Sequence, residues 1–148
     1  MAVVGFTKLQ EIFRKGASLD IHKGHAKEVT DIVEQKLYDM LVIAQKNAKY
    51  NGRDVIWVAD LPITKGFEET IDQFKKLEEE IVVKDVTEML ATYPPVLSLE
   101  VELENKLPEI SGALLLTLAK VMKAIDPADR VVDHELINKA HEVLNITL

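Results

Sequence analysis

Apolar residues recur at every third or fourth position through most of this chain, the spacing that lines one face of a helix. Phe6, Leu9 and Phe13 predict a first helix from about Phe6 to Lys15, stopped by Gly16, with a short extended piece from Ser18 to His22 before Gly24. The longest periodic stretch runs from His25 to about Tyr50, where Val29, Val33, Leu37, Leu41, Ala44 and Ala48 form a stripe widened by Ile32, Met40 and Val42. Asn51-Gly52 closes it. Val55 to Val58 is predicted to be extended only briefly before Asp60 and Pro62 open a third helix. Its stripe is Ile63, Phe67, Ile71, Phe74, Leu77 and Ile81, and Glu78 to Glu80 lie on its solvated side.

This order of short, long and short helix then repeats. Val83, Val86, Leu90 and Tyr93 predict a short helix ended by Pro94-Pro95. From Val96 to Asn105 apolar and acidic residues alternate, with Leu97, Leu99, Val101 and Leu103 on one side and Glu100, Glu102 and Glu104 on the other. That pattern predicts a half-buried strand. Pro108 is then expected in the first turn of a second long helix through Ile110, Leu114, Leu118, Val121 and Ile125, closed by Asp126-Pro127. Asp133 is a good N-cap for a last short helix through Leu136, Ala140, Val143 and Leu144. The two halves, 1–81 and 82–148, overlay at a shift of about 77 residues that brings Arg53 onto Arg130. The repeat lies in the order of elements, because identity between the halves is slight.

Composition agrees with an all-α fold. Aromatics are sparse while Leu, Ile, Val, Ala, Lys and Glu abound. The absence of cysteine excludes disulfides and thiolate metal sites and fits an intracellular protein. No apolar run approaches the ~20 residues of a spanning helix, and the opening MAVVGFTKLQEIFRKG meets charge too early for a signal peptide. A soluble, cytoplasmic protein is expected. Its net charge is −7, unevenly spread. Residues 1–66 hold ten basic and eight acidic side chains, whereas residues 67–148 hold eight and seventeen. Any anionic partner should therefore meet the first half.

A long central helix flanked by two short ones, with extended loops at the junctions, resembles the histone fold. The sharpest match is Arg53, Val55-Ile56 and Asp60: in histone folds an Arg, a β-branched pair and an Asp seven residues after the Arg occupy the second loop. The resemblance implies a buried ion pair between Arg53 and Asp60. Val55 stands where the family usually has Thr, so a hydroxyl partner for a neighbouring Arg is missing. In the second half Leu136 or Ile137 fills the Asp position, so Arg130 cannot pair in that way. Histone folds are obligate dimers. Two units in one chain would meet that need internally, and the whole sequence is similar to prokaryotic single-chain histone-fold pairs. The implied fold is two tandem histone folds packed as an intramolecular pseudodimer.

Candidate chemistry is thin. His22 and His25 lie three apart but lack a third ligand; His134-Glu135 begins a zinc-protease pattern whose second His would fall at Asn138; His141 is two turns beyond. No nucleophile elbow or glycine-rich phosphate loop is present, so neither an enzyme nor a cofactor, a metal or a small-molecule substrate is expected. Histones grip the phosphate backbone at the two paired-loop ends and along the first helices. Carried over, the resemblance implies phosphate contacts at one end from Lys15, His22, Lys23 and Arg130, with Lys8 and Arg14 on the first helix. The other end would set Lys49 and Arg53 beside Glu100, Glu102 and Glu104 and repel phosphate. Two functions follow as expectations. One is a non-enzymatic module acting through a protein partner or self-association; the alternative is a weak, sequence-independent DNA-binding architectural protein.

Overall fold

The computed structural model describes residues 4–77 and 79–148. Among these are six α-helices: α1 Phe6–Ala17, α2 Lys23–Tyr50, α3 Lys65–Lys76, α4 Val83–Leu90, α5 Val101–Ile125 and α6 His134–Thr147. Two short strands, β1 Val55–Ile56 and β2 Ser98–Leu99, pair in parallel with Val55 opposite Ser98. The short–long–short order occurs twice, as the periodicity predicted.

Loops tie the halves together at both ends of the molecule. Asp20, between α1 and α2, bridges to Val131, between α5 and α6, through Asp20 N–H to the Arg130 carbonyl (2.8 Å) and Val132 N–H to the Asp20 carbonyl (2.9 Å). At the other end β1 follows α2 and β2 precedes α5. The long helices therefore run in opposite senses between the two loop pairs, which their lengths place about 40 Å apart at 1.5 Å per residue.

α5 is the hub and packs against every other helix. Its segment from Ile110 to Leu116 is buried all round, as its apolar composition requires. Two contacts leave no room for a side chain. A Cβ at Gly16 of α1 would meet Leu116 Cδ1 at 2.1 Å, and one at Gly112 would meet the Phe74 ring of α3 at 2.1–2.4 Å. In the same buried segment the Ser111 hydroxyl has no hydrogen-bond partner among the described residues. Ser111→Ala removes that orphan and improves helix propensity, so it is expected to raise stability by about 1 kcal/mol. A higher urea midpoint with an unchanged slope is the readout.

Several boundaries differ from the expected ones. The alternating segment 96–105 is not a strand beyond Leu99: α5 starts at Val101, which is 72% exposed, while Leu103, Leu107 and Ile110 are buried at helical spacing. Pro108 consequently lies inside α5, not in its first turn. There it leaves the Glu104 carbonyl without its helical partner. Gly16 does not end α1, which continues to Ala17 and is closed by Ser18 at φ 53°. Asp60 and Pro62 do not open α3. Val58–Asp60 is a short 3-10 turn, and the Thr64 hydroxyl caps α3 by accepting from Phe67 N–H at 3.2 Å. α3 ends at Lys76, short of Ile81, and α4 ends at Leu90, short of Tyr93, whose ring stacks on Tyr38. Asp133 caps α6 as expected, accepting from Leu136 N–H at 2.8 Å.

Candidate functional site

The loop after α2 is built around one carboxylate. Gly52, at φ 71°, turns the chain out of α2 in a conformation that favours glycine. This sets Arg53 beside Asp60. Arg53 donates from Nη1 to Asp60 Oδ2 (2.7 Å) and from Nη2 to Oδ1 (2.6 Å), and its Nη1 also donates to the Val55 carbonyl (3.1 Å). Asp60, 3% exposed, accepts a third hydrogen bond from Trp57 N–H (2.7 Å), and Asn47 Nδ2 donates to its carbonyl (2.8 Å). The guanidinium lies 3.8 Å from the Trp57 ring centroid. The Arg53 hydrogen bonds hold the Asp60 carboxyl below the usual carboxylate range, against the opposing effect of burial. The same pairing raises Arg53, with Glu100 adding to it.

The corresponding loop of the second half is closed differently. The Asp129 carboxylate accepts from Arg130 N–H (2.9 Å) and Val131 N–H (3.2 Å), a local turn device. Ile137 is buried where a pairing carboxylate would stand. Among the described residues the Arg130 side chain has no hydrogen-bond or ion-pair partner.

The residues expected to meet phosphate are dispersed. Arg14 and Arg130 line one open hollow with Lys123, Ser18, Asp20, Pro127 and Ala128. Arg14 pairs with Glu11 (3.3 Å) and Asp20 (3.7 Å), and Lys123 donates to the Asp129 carbonyl (2.7 Å). Lys15 turns away to Glu79, at 2.7 Å, and Lys8 donates to the Glu80 carbonyl. His22 is the N-cap residue of α2, without a side-chain capping bond. Lys23 lines a separate groove with Phe6, Ala26 and Thr30. The structure thus brings Arg14 to Arg130, and not Lys15 and Lys23.

At the β1–β2 end, Glu100 donates its backbone N–H to the Ile56 carbonyl (2.9 Å), and Asp54, Glu102 and Glu104 are exposed beside the ladder. Three large side chains also stand in solvent at this end: Tyr50 (92%), Trp57 (44%) and Val101. The Trp57–Arg53 stacking was not anticipated from sequence, although the residues lie four apart in one loop. Nor was the histidine pairing. Glu28 joins His25 (3.4 Å) to His134 (2.6 Å), linking the starts of α2 and α6. Among the described residues no group of three or more His, Asp or Glu side chains could hold a metal ion. No described helix is long and apolar enough to cross a membrane.

A family model described as a domain of unknown function, DUF1931, matches residues 9–145. The chain belongs to that family. This DUF1931 chain is similar to two proteins of Aquifex aeolicus (strain VF5) described as uncharacterised. One is 35% identical over 120 residues, covering 80% of this chain and 70% of the relative; the other is 33% identical over 149 residues, covering 92% and 87%. Its fold is similar to a crystal structure of a protein from Thermus thermophilus, with 39% identity, TM-score 0.96 and 99% of each chain covered. It is also similar to the crystal structure of protein AQ328 from Aquifex aeolicus, with 30% identity, TM-score 0.81 and coverage of 99% and 97%.

Proposed function

We propose that the chain is a pair of tandem histone folds that acts without catalysis, as a module for association between protein chains. Support for the pairing comes from the reciprocal loops: the first loop of each half lies against the second loop of the other. The observation that carries the association reading is the β1–β2 end. There Trp57 and Tyr50, residue types that anchor protein interfaces, stand in solvent with Val101. Light scattering on the pure protein over a wide concentration range tests this. Assemblies of whole folded chains are expected, lost in a Trp57→Ser, Val101→Glu double variant. A folded monomer at every concentration would overturn self-association through this end.

One observation favours a second reading, the weak DNA-binding architectural protein. Arg130, whose side chain has no partner among the described residues, opens onto the same hollow as Arg14 and Lys123 at the Asp20–Val131 end. Asp20 and the bound state of Arg14 and Lys123 limit what that end offers, so only a few phosphates could be met. Binding of a labelled duplex would then be weak and steeply salt-dependent, and reduced by Arg130→Glu. No binding at low salt would remove this reading and leave association.

A further inference from the structure

Glu79 and Glu80, between α3 and α4, lie against the basic side of α1. Lys8 and Lys15 are seven residues apart, two helical turns, and so project from one face of that helix. Lys15 Nζ meets Glu79 Oε1 at 2.7 Å, with the Glu79 side chain only 14% exposed, and Lys8 Nζ donates to the Glu80 carbonyl. Both lysines are thus satisfied by the connection between the two halves, one by a carboxylate and one by a backbone oxygen. Oxygen acceptors held along a row of lysines are what a phosphodiester backbone presents to a protein. We propose that Glu79 and Glu80 mask an anion-binding face of α1, so that duplex backbone gains Lys8 and Lys15 only by displacing them.

The inference rests on the DNA-binding reading above and adds its regulation. Lys15 is 44% exposed, so its bond to Glu79 is open to screening and to competition. A duplex offers many phosphates at once and releases counterions as it binds, whereas the described part of the linker meets these lysines through the Glu79 carboxylate and the Glu80 carbonyl. The mask would hold against small anions and, at moderate salt, would also keep Lys15 out of the wild-type complex, so that only at the lowest salt would a polyanion displace it. It also accounts for a chain that carries basic residues on α1 and leaves them occupied.

The test compares wild type with Glu79→Gln in two measurements. The first is acetylation of Lys15 by a small amine-reactive reagent without DNA, read by mass spectrometry. Lys15 should react severalfold faster in the variant. The second is anisotropy of a labelled duplex across a salt series. The variant should bind severalfold tighter, and the slope of log affinity against log salt should steepen by about one. Adding Lys15→Gln to Glu79→Gln should return the slope to that of wild type. Wild-type binding with an identical slope in Glu79→Gln overturns the mask and leaves the DNA reading standing. Faster acetylation with no duplex binding by either chain at low salt overturns both.

Discussion

Replacing Asp60 by Leu is expected to destabilise the chain by about 3 kcal/mol or more, the range seen when one partner of a buried ion pair is removed. The magnitude follows from what Asp60 holds. Its two oxygens accept from both Arg53 Nη atoms and from Trp57 N–H, at 2.6–2.7 Å, with the Asp60 side chain buried and that of Arg53 partly exposed. With Leu at 60, the guanidinium keeps the Val55 carbonyl, the Trp57 ring and the more distant charge of Glu100 but no carboxylate hydrogen bond among the described residues, and the Trp57 amide loses its acceptor. For a chain of this length the midpoint of thermal unfolding should fall by about 10 °C, measurable by calorimetry. A double variant, Arg53→Met with Asp60→Leu, should recover much of the loss, because it removes the unpaired charge together with its partner. A change of a few tenths of a kcal/mol in the single variant would mean that the pair contributes nothing beyond local geometry.

Asp60 also sets a pH dependence. Its carboxyl titrates lower in the folded chain than in the unfolded one. Above the ordinary carboxylate range it is ionised in both states and the pairing stabilises fully. As pH falls below about 4 the unfolded chain takes up the proton first, and this contribution declines until the folded carboxyl is protonated too. Wild type should therefore lose more stability than Asp60→Asn between about pH 4 and the lower folded value. Parallel loss in both chains would show that other carboxylates account for the acid sensitivity.

The Arg53–Asp60 pair at the centre of this cluster was legible in the sequence because both residues lie within one loop, whereas the Asn47 contact and the Trp57 stacking were not. Arg53, Val55-Ile56 and Asp60 fall at the spacing of the histone-fold loop, and the ion pair was an expectation that this resemblance implied. The two long helices were legible for a related reason, since periodicity is local. Where two periods fit equally well the reading failed. Leu97, Leu99, Val101 and Leu103 alternate as a strand would, but the chain changes from extended to helical at Glu100, which turns Val101 outward and leaves Leu103 buried. Tertiary packing decides that point: the apolar spacing from Leu103 onward continues into the buried stripe of α5. The candidate phosphate site was legible only as a list of charges. The partners of Lys15 and Lys8 lie 64 and 72 residues away, and Glu28 meets His134 across the fold. No spacing rule reaches that far, so a charge that sequence offers to a ligand can already be taken by the chain itself.

Gly112→Ala shows the same limit on the core, and here too a large effect is expected. By helix propensity alone the change should stabilise, since a mid-helix Ala is favoured over Gly by about 1 kcal/mol. The packing reverses the sign. Three atoms of the Phe74 ring occupy the position of the added Cβ, and the ring cannot bend aside as a flexible chain end could. Phe74 is itself buried within the core, so α3 must move as a unit away from α5 or the ring must leave its rotamer. A net destabilisation of about 2 kcal/mol or more is expected from Gly112→Ala by urea unfolding. Gly16→Ala makes the informative comparison, because its added methyl meets the branched end of Leu116, which has more ways to yield, and it should lose less. Phe74→Leu combined with Gly112→Ala should restore part of the stability lost by Gly112→Ala alone, since the smaller side chain vacates the space the methyl needs. If Gly112→Ala instead stabilises, the close approach of α3 to α5 is not maintained, and with it would go the all-round burial that makes α5 the centre of the fold.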